Sequence, residues 1–266
     1  MPELPEIEHL AASLRASVVG RELVDVRCRQ PKMLNLPLAE FARRARGPIV
    51  GAERRAKSCL LHLAEGSIWL HLGLGGEVTL AQAPLGDPQL ALIFADGWQL
   101  LVDKTFMGHA HFLSEEETAR QKQGYGPEPL QSDFGLPGLE ALLRRRPKQA
   151  IKALLMDQAR LAGVGNVYSD EVCHAARLYP ARAAGSLDSA ERRQLFQSLK
   201  SVLSEAVAEG GASEYADVRG ERGRYEMRIH GAELCRICGT PAGKVSIGGR
   251  TAYYCPACQR SQEAVV

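Results

Sequence analysis

The chain has 266 residues, 45% of them hydrophobic and 24% charged, with a formal net charge of +2. That balance excludes a disordered, collagen-like or coiled-coil protein, and the length suits two domains with substantial cores. No run approaches the ~20 apolar residues of a membrane span, and the acidic start Met1-Pro2-Glu3-Leu4-Pro5-Glu6 lacks the basic and apolar regions of a signal peptide, so a cytoplasmic protein with reduced thiols is expected.

Charge is unevenly placed. Residues 42–57 hold six cations (Arg43, Arg44, Arg46, Arg54, Arg55, Lys57) against Glu53 alone, and residues 144–160 hold six (Arg144, Arg145, Arg146, Lys148, Lys152, Arg160) against Asp157 alone. Basic patches on a near-neutral chain suit a polyanion bound on one face. Without further motifs they suit an ordinary solvated surface equally well.

In chain order, Ile7, Leu10, Ala11 and Leu14 follow helical spacing and predict a helix over 5–16. Pro5 fits its first turn, and Glu6 and Glu8 fit its dipole. Pro2 and Glu3 fall just ahead of it. Strand signals then run to about residue 113: Val24, Val26 and Cys28 alternate with Asp25 and Arg27, apolar runs occupy 59–63, 68–72 and 90–94, and Asp96-Gly97 marks a hairpin between 90–95 and 98–102. No helix is read among them, which predicts a largely antiparallel sandwich or barrel. Gly124-Tyr125-Gly126-Pro127-Glu128-Pro129 reads as a linker. Beyond it the periods are helical: one helix at Leu139, Leu142 and Leu143, a second at Ile151, Leu154 and Leu155, a third beginning near Gly163–Asn166, and a fourth from about Ser189 to Glu209, stopped by Gly210-Gly211.

Cys235 and Cys238 form one C-x2-C pair, and Cys255 and Cys258 form another after 16 intervening residues. Tetrahedral zinc takes four soft ligands, and each such turn offers two thiolates to one side of the ion, so one structural zinc is expected. Four cysteine ligands leave no open position for catalysis. Gly248-Gly249 suits the tip of the intervening hairpin, with Arg250 beside it as a fork for a phosphate or simply as an exposed turn residue. Cys28, Cys59 and Cys173 lie in apolar contexts and read as core. Gly163-Val164-Gly165-Asn166, ahead of a helix, offers backbone N–H groups to an anion, and the basic run before it favours a nucleic-acid phosphate.

These pieces occur in one order: the start MPELPEIE, Arg54-Arg55-Ala56-Lys57, His71-Leu72-Gly73, residues 151–158, residues 161–171 and the four-cysteine hairpin. Together they resemble the formamidopyrimidine-DNA glycosylase / endonuclease VIII family, the formamidopyrimidine branch in particular, over nearly the whole chain. The resemblance implies an α+β protein. An N-terminal antiparallel β-sandwich with a leading helix would span 1–123, a linker 124–130, a helix–two-turn–helix domain 131–231 and a zinc hairpin 232–266, with DNA in the cleft between domains. It implies a monomeric base-excision repair enzyme of a bacterial-type cytoplasm, associated with the nucleoid, that removes a damaged base from double-stranded DNA and then nicks the strand. No membrane role is expected.

The resemblance also assigns roles. Pro2, freed of Met1, would attack the sugar C1′ as a secondary amine, and Glu3 would protonate the ring oxygen. Lys57 would hold the phosphate beside the lesion. His71, Lys152, Gly165, Asn166 and Arg250 would grip the backbone around an everted nucleotide. Leu74, Phe106 and Met107 would fill the gap it leaves. The formamidopyrimidine branch carries an Arg-Phe pair before a glycine in this loop and a Met after His-Leu-Gly. This chain instead has Asp103-Lys104-Thr105-Phe106-Met107-Gly108 and Leu74, so no arginine remains there to read the base opposite the lesion. With Met1 retained, Pro2 would have no free amine, and the chain would be a damage-binding member with lost or narrowed catalysis.

Overall fold

The computed structural model describes residues 1–82 and 86–259. It divides into two compact units: Met1–Gly124 with Glu209–Arg224, and Tyr125–Ala208 with the chain from Tyr225 onward. The end of the four-cysteine segment, 260–266, lies outside the described residues. Among the described residues no helix is long and apolar enough to cross a membrane.

The first unit opens with α1 (Leu4–Val18), which buries Ile7, Leu10, Ala11 and Leu14 as its periodicity predicts. The strands follow as β1 (Glu22–Cys28), β2 (Gly47–Pro48), β3 (Gly51–Arg55), β4 (Ser58–Leu63), β5 (Gly66–His71), β6 (Glu77–Ala81), β7 (Leu90–Phe94), β8 (Gln99–Asp103) and β9 (His109–Leu113). They pair antiparallel in two sheets, of order β2-β1-β7-β8-β6 and β3-β4-β5-β9. Val26, Leu92, Leu100 and Val102 of one sheet share a core with Leu61, Ile68, Leu70 and Phe112 of the other and with α1, the packing of a sandwich. The β7–β8 hairpin turns at Asp96-Gly97, with Gly97 at φ +85°.

A helix does interrupt these strands, contrary to the sequence reading. Leu38–Ala45 (α2) lies between β1 and β2 and buries Phe41 and Ala45, with Phe41 edge-on to Phe112 at 6.4 Å. Its apolar positions 38, 41, 42 and 45 do carry helical spacing, but the adjoining Arg43, Arg44 and Arg46 make the segment look like a charged surface run. After β9, α3 (Glu115–Gln123) starts from a capping box in which Ser114 Oγ accepts from Glu117 N at 3.2 Å and Ser114 N donates to Glu117 Oε2 at 2.9 Å. The acidic run Glu115–Glu117 fills its first turn, where the helix dipole favours negative charge. Cys59 is buried, whereas Cys28 is only half-buried against the core edge.

The boundaries also differ. Residues 209–224 belong to the first unit rather than to the helical region. They are held there by Leu80 N donating to Val218 O at 2.9 Å, Ala212 N to Glu6 Oε1 at 2.9 Å and Arg219 Nε to Ser17 Oγ at 3.0 Å. The expected linker is not loose either: Gly126 N donates to Gln158 O at 2.8 Å, Ala162 N donates to Pro127 O at 3.0 Å, and Glu128 is buried.

The second unit comprises α4 (Leu136–Arg145), α5 (Ile151–Leu155), α6 (Asn166–Ala175), α7 (Ser189–Ala208) and the hairpin β10 (Gly243–Ile247)–β11 (Arg250–Tyr254). Leu139, Leu143, Leu154, Tyr168, Val172, Leu195, Leu199 and Leu203 form its core with Cys173. Burial pushes the Cys59 and Cys173 thiols up to about 12, as inert core residues require.

Within this unit Lys152 is fully buried, and its ammonium donates to Asp170 Oδ1 at 2.7 Å, Asn166 O at 2.7 Å and Ser169 Oγ at 2.9 Å. An ammonium has three donors, so none is left for a phosphate. The role expected of Lys152 at the DNA backbone is therefore corrected: it holds the α5–α6 turn from inside. Asp170 Oδ2 in turn accepts from Tyr253 N at 3.1 Å and lies 2.7 Å from His230 Nδ1. Removing one partner of a buried ion pair costs about 3–5 kcal/mol. Lys152→Ala should lower unfolding free energy by about that amount in denaturant titrations. A loss of DNA affinity with unchanged stability would restore the surface role.

Candidate functional site

At the chain start Pro2, Glu3 and Glu6 are all buried. Glu3 is the N-cap of α1, and Glu3 N donates to Glu6 Oε2 at 2.8 Å within a capping box. Glu6 reaches further, accepting from Ala212 N through Oε1 at 2.9 Å. One buried carboxylate thus ties the backbone at Glu3 to that at Ala212, and Glu6 itself lines a cavity of 260 Å³. Pro2, Glu6, Leu72, Glu77, Lys104 and Tyr215 are among its lining residues. Burial pushes the chain-terminal amine, here on Met1, below its ordinary 8.0, with Glu3 and Glu6 opposing and Lys57 assisting. Sequence reasoning marks Glu6 only as a carboxylate favoured by the helix dipole and gives no signal for Tyr215.

The four-stranded sheet brings Lys57 and His71 to one end. Lys57 lies in the β3–β4 turn, where Arg55 pairs with Ser58, and Ser58 pairs across with His71. Arg54 braces that turn, donating to Glu8 Oε2 of α1 at 2.8 Å and to Ala56 O at 3.1 Å. His71 Nδ1 accepts from Gly73 N at 3.0 Å, and burial together with the Lys57 charge lowers its pKa. The ring is therefore neutral near pH 7, with Nε2–H as a donor. Its face stacks on His109, with ring centroids 5.2 Å apart.

Leu74 and Phe106 form an isolated bridge with both bonds made, at 2.8 and 3.0 Å. A Cβ on Gly73 would lie 2.2 Å from Phe106 O, and one on Gly108 would lie 1.9 Å from Thr105 Oγ1, so only glycine lets the two loops close. The tips remain outside: Leu74 is 42% exposed, Phe106 65% and Met107 75%. Lys104, the nearest cation in this loop, is tied to Glu77 Oε2 at 2.9 Å.

In the second unit Gly165 is the N-cap of α6 and Asn166 its first residue, half-buried, with Oδ1 unpartnered. Arg250 opens β11 beside the Gly248-Gly249 turn and is exposed. The sulfurs of Cys235, Cys238, Cys255 and Cys258 lie within 4.8 Å of one another, with individual separations of 3.4–4.0 Å. Tetrahedral bonds of about 2.3 Å to one ion put sulfurs about 3.8 Å apart, so the set fits a metal of zinc's size. His174 Nε2 lies 3.3 Å from Cys235 Sγ, and Glu171 accepts from the N–H groups of Arg228, Ile229 and His230 at 2.8–2.9 Å. Glu171 ends the 161–171 motif, but the sequence shows neither its backbone partners nor the approach of His174 to Cys235.

Known protein families match this chain in two stretches. Residues 1–109 match the model of the formamidopyrimidine-DNA glycosylase N-terminal domain, and residues 125–217 match that of the formamidopyrimidine-DNA glycosylase H2TH domain. Curated proteins named formamidopyrimidine-DNA glycosylase from Listeria monocytogenes and Geobacillus kaustophilus are 34% and 36% identical, each aligned over 98% of this chain and 100% of the relative. Among solved structures, the complex of Lactococcus lactis Fpg with DNA containing an abasic site is similar at a TM-score of 0.89 and 29% identity, over 97% of this chain and 100% of that one. A Lactococcus lactis mutant bound to Fapy-dG-containing DNA also scores 0.89, at 29% identity over 98% of this chain and 100% of that one. Over its sandwich and its helical region alike, the chain belongs to the formamidopyrimidine-DNA glycosylase family.

Proposed function

We propose that the protein is a DNA glycosylase and AP lyase of base excision repair that acts through Pro2 on damaged double-stranded DNA. The observation that carries this reading is the buried chain start: Pro2 lines a 260 Å³ cavity that Glu6 also lines. Once Met1 is cleaved, the Pro2 nitrogen becomes a secondary amine. It attacks C1′ of an everted nucleotide, and the bond from C1′ to the base breaks, its electron pair leaving with the base, which takes up the proton that the nitrogen sheds. Glu3 supplies a proton to the ring oxygen, which opens the sugar and leaves an iminium at C1′. The iminium acidifies the C2′ hydrogen, so that loss of that proton expels the 3′ phosphate and a second elimination expels the 5′ phosphate. Lys57 and the neutral Nε2–H of His71 suit phosphate oxygens, as do the exposed Arg250 and the α6 start at Gly165-Asn166.

Pro2 is buried, and burial disfavours an ammonium, so its neutral amine persists to lower pH than at a solvated chain end. Pro2→Gly should abolish most borohydride-trapped complex with abasic DNA. Wild-type trapping should rise with pH as the Pro2 amine loses its proton, with a midpoint below that of a solvated N-terminal proline. Undiminished trapping in the variant would assign the chemistry to another amine, and a midpoint no lower than that of a solvated N-terminal proline would contradict the buried nucleophile.

We assign the four-cysteine site to one zinc per chain. With four thiolates it has no open position, so the ion would hold the hairpin and present Arg250 rather than take part in the reaction. Elemental analysis should find one zinc per chain, and Cys255→Ser should lose both metal and DNA affinity while the first unit stays folded. Metal-free protein with full affinity would refute the assignment.

The wedge loop presents Phe106, Met107 and Leu74 and no guanidinium. A bidentate side-chain contact to a base is worth about 1–3 kcal/mol of discrimination, and apolar tips supply none of it. Excision of one fixed lesion should therefore vary less than about tenfold among the four opposite bases, and Phe106→Arg should widen the range. A native preference for cytosine on the order of a hundredfold would mean that a residue outside this loop reads the opposite base.

A further inference from the structure

An open depression of 610 Å³ in the second unit is lined by Arg145, Arg146, Pro147, Lys148, Asp157 and Arg160, among others. Four of these side chains are cationic and one is acidic, and that one, Asp157, is already paired with Arg160 at 2.9 Å. Among the described residues no carboxylate lies within ion-pair distance of Arg145, Arg146 or Lys148. Helix polarity accounts for cations in the last turn of α4, where Arg144 and Arg145 lie. It does not account for Lys148 or Arg160, which lie outside any helix.

The cations stand on fixed backbone. Gly185 N donates to Pro147 O and Ala184 N to Gln149 O, both at 2.8 Å, while Ile151 N donates to Arg182 O at 2.9 Å. A Cβ on Gly185 would lie 2.6 Å from Pro147 Cβ, so the two segments are in close contact. The backbone that carries the charges is thus fixed before any ligand arrives, which reduces part of the ordering cost of binding. No aromatic side chain lines the depression, so it offers no platform for stacking a base. Positive charge without stacking suits phosphodiester oxygens, which fix position without reading sequence.

We propose that this depression is a second phosphate-binding track, separate from Gly165, Asn166 and Arg250, that holds the backbone of undamaged duplex flanking the lesion. The proposal rests on the glycosylase reading above. Asp157–Arg160 continues directly into the Gly163–Asn166 turn, so the track and the α6 start belong to one stretch of loop.

The test is the salt dependence of binding by the full chain carrying R145A, R146A and K148A together. All three side chains are exposed and make no ion pair among the described residues, so the fold should tolerate their loss. Fluorescence anisotropy with a duplex containing an abasic-site analogue, and with its undamaged counterpart, should be followed from about 50 to about 200 mM salt. Each phosphate contact contributes about 0.9 to the slope of log affinity against log salt, so losing three makes the variant's fall about 40-fold smaller than wild type's. The flattening should be equal on both duplexes, and the R145K, R146K variant should keep the wild-type slope. An unchanged slope in the alanine variant would overturn the proposal, as would flattening confined to the damaged duplex. Failure of the wild-type chain to bind either duplex would instead overturn the glycosylase reading on which it rests.

Discussion

Two neighbouring carboxylates on α6, Asp170 and Glu171, are fully buried, and the second unit is arranged around satisfying them. Asp170 takes the Lys152 ammonium on one oxygen and, on the other, Tyr253 N and the His230 ring. Glu171 takes three consecutive backbone N–H groups, and these oppose the upward push of burial on its pKa. A buried charge is costly unless it is paired and hydrogen-bonded, so the segments supplying these partners have little freedom to sit elsewhere. Those segments are α5, the chain around 228–230 and strand β11. The turn before α6 and the hairpin carrying Arg250 are consequently held by one polar cluster.

The first unit solves a similar problem at the chain start. Termini normally fray, yet here Pro2, Glu3 and Glu6 are buried. Glu6 is again a carboxylate satisfied by backbone donors, one three residues back and one more than two hundred residues on. That long reach explains why 209–224 belongs with the sandwich although the preceding α7 belongs with the helices.

The sandwich, the four-cysteine pairing and the principal helices were legible because each rests on a local period or spacing. Residues 7, 10, 11 and 14 of α1, the Asp96-Gly97 turn and the C-x2-C pairs carry their information within a few positions. What escaped notice depends on distant partners. Lys152 looked like a surface cation because it stands in a basic run, and only Asp170 and the α6 turn make it interior. The α2 helix was masked by its arginines, and the wall formed by 212–217 by the absence of any period. Of the candidate site, Pro2, Glu3, Lys57, His71 and the exposed tips Leu74, Phe106 and Met107 are named by motif, whereas the bonds made by Glu6, Asp170 and Glu171 and the position of Tyr215 emerge only through contacts.

The interlocked loops bearing Leu74 and Phe106 have an evolutionary consequence. Their backbone is fixed by the two-bond bridge and by glycines at 73 and 108, while Leu74, Phe106 and Met107 project outward and contribute little to the core. Selection on stability therefore acts on the glycines and leaves the tips unconstrained. The tips are free to exchange a guanidinium for a phenyl ring or a thioether at almost no cost in folding. Under the role proposed above for these tips, a lineage facing a different spectrum of damaged pairs can retune this edge of the molecule by single substitutions, each tested by function alone.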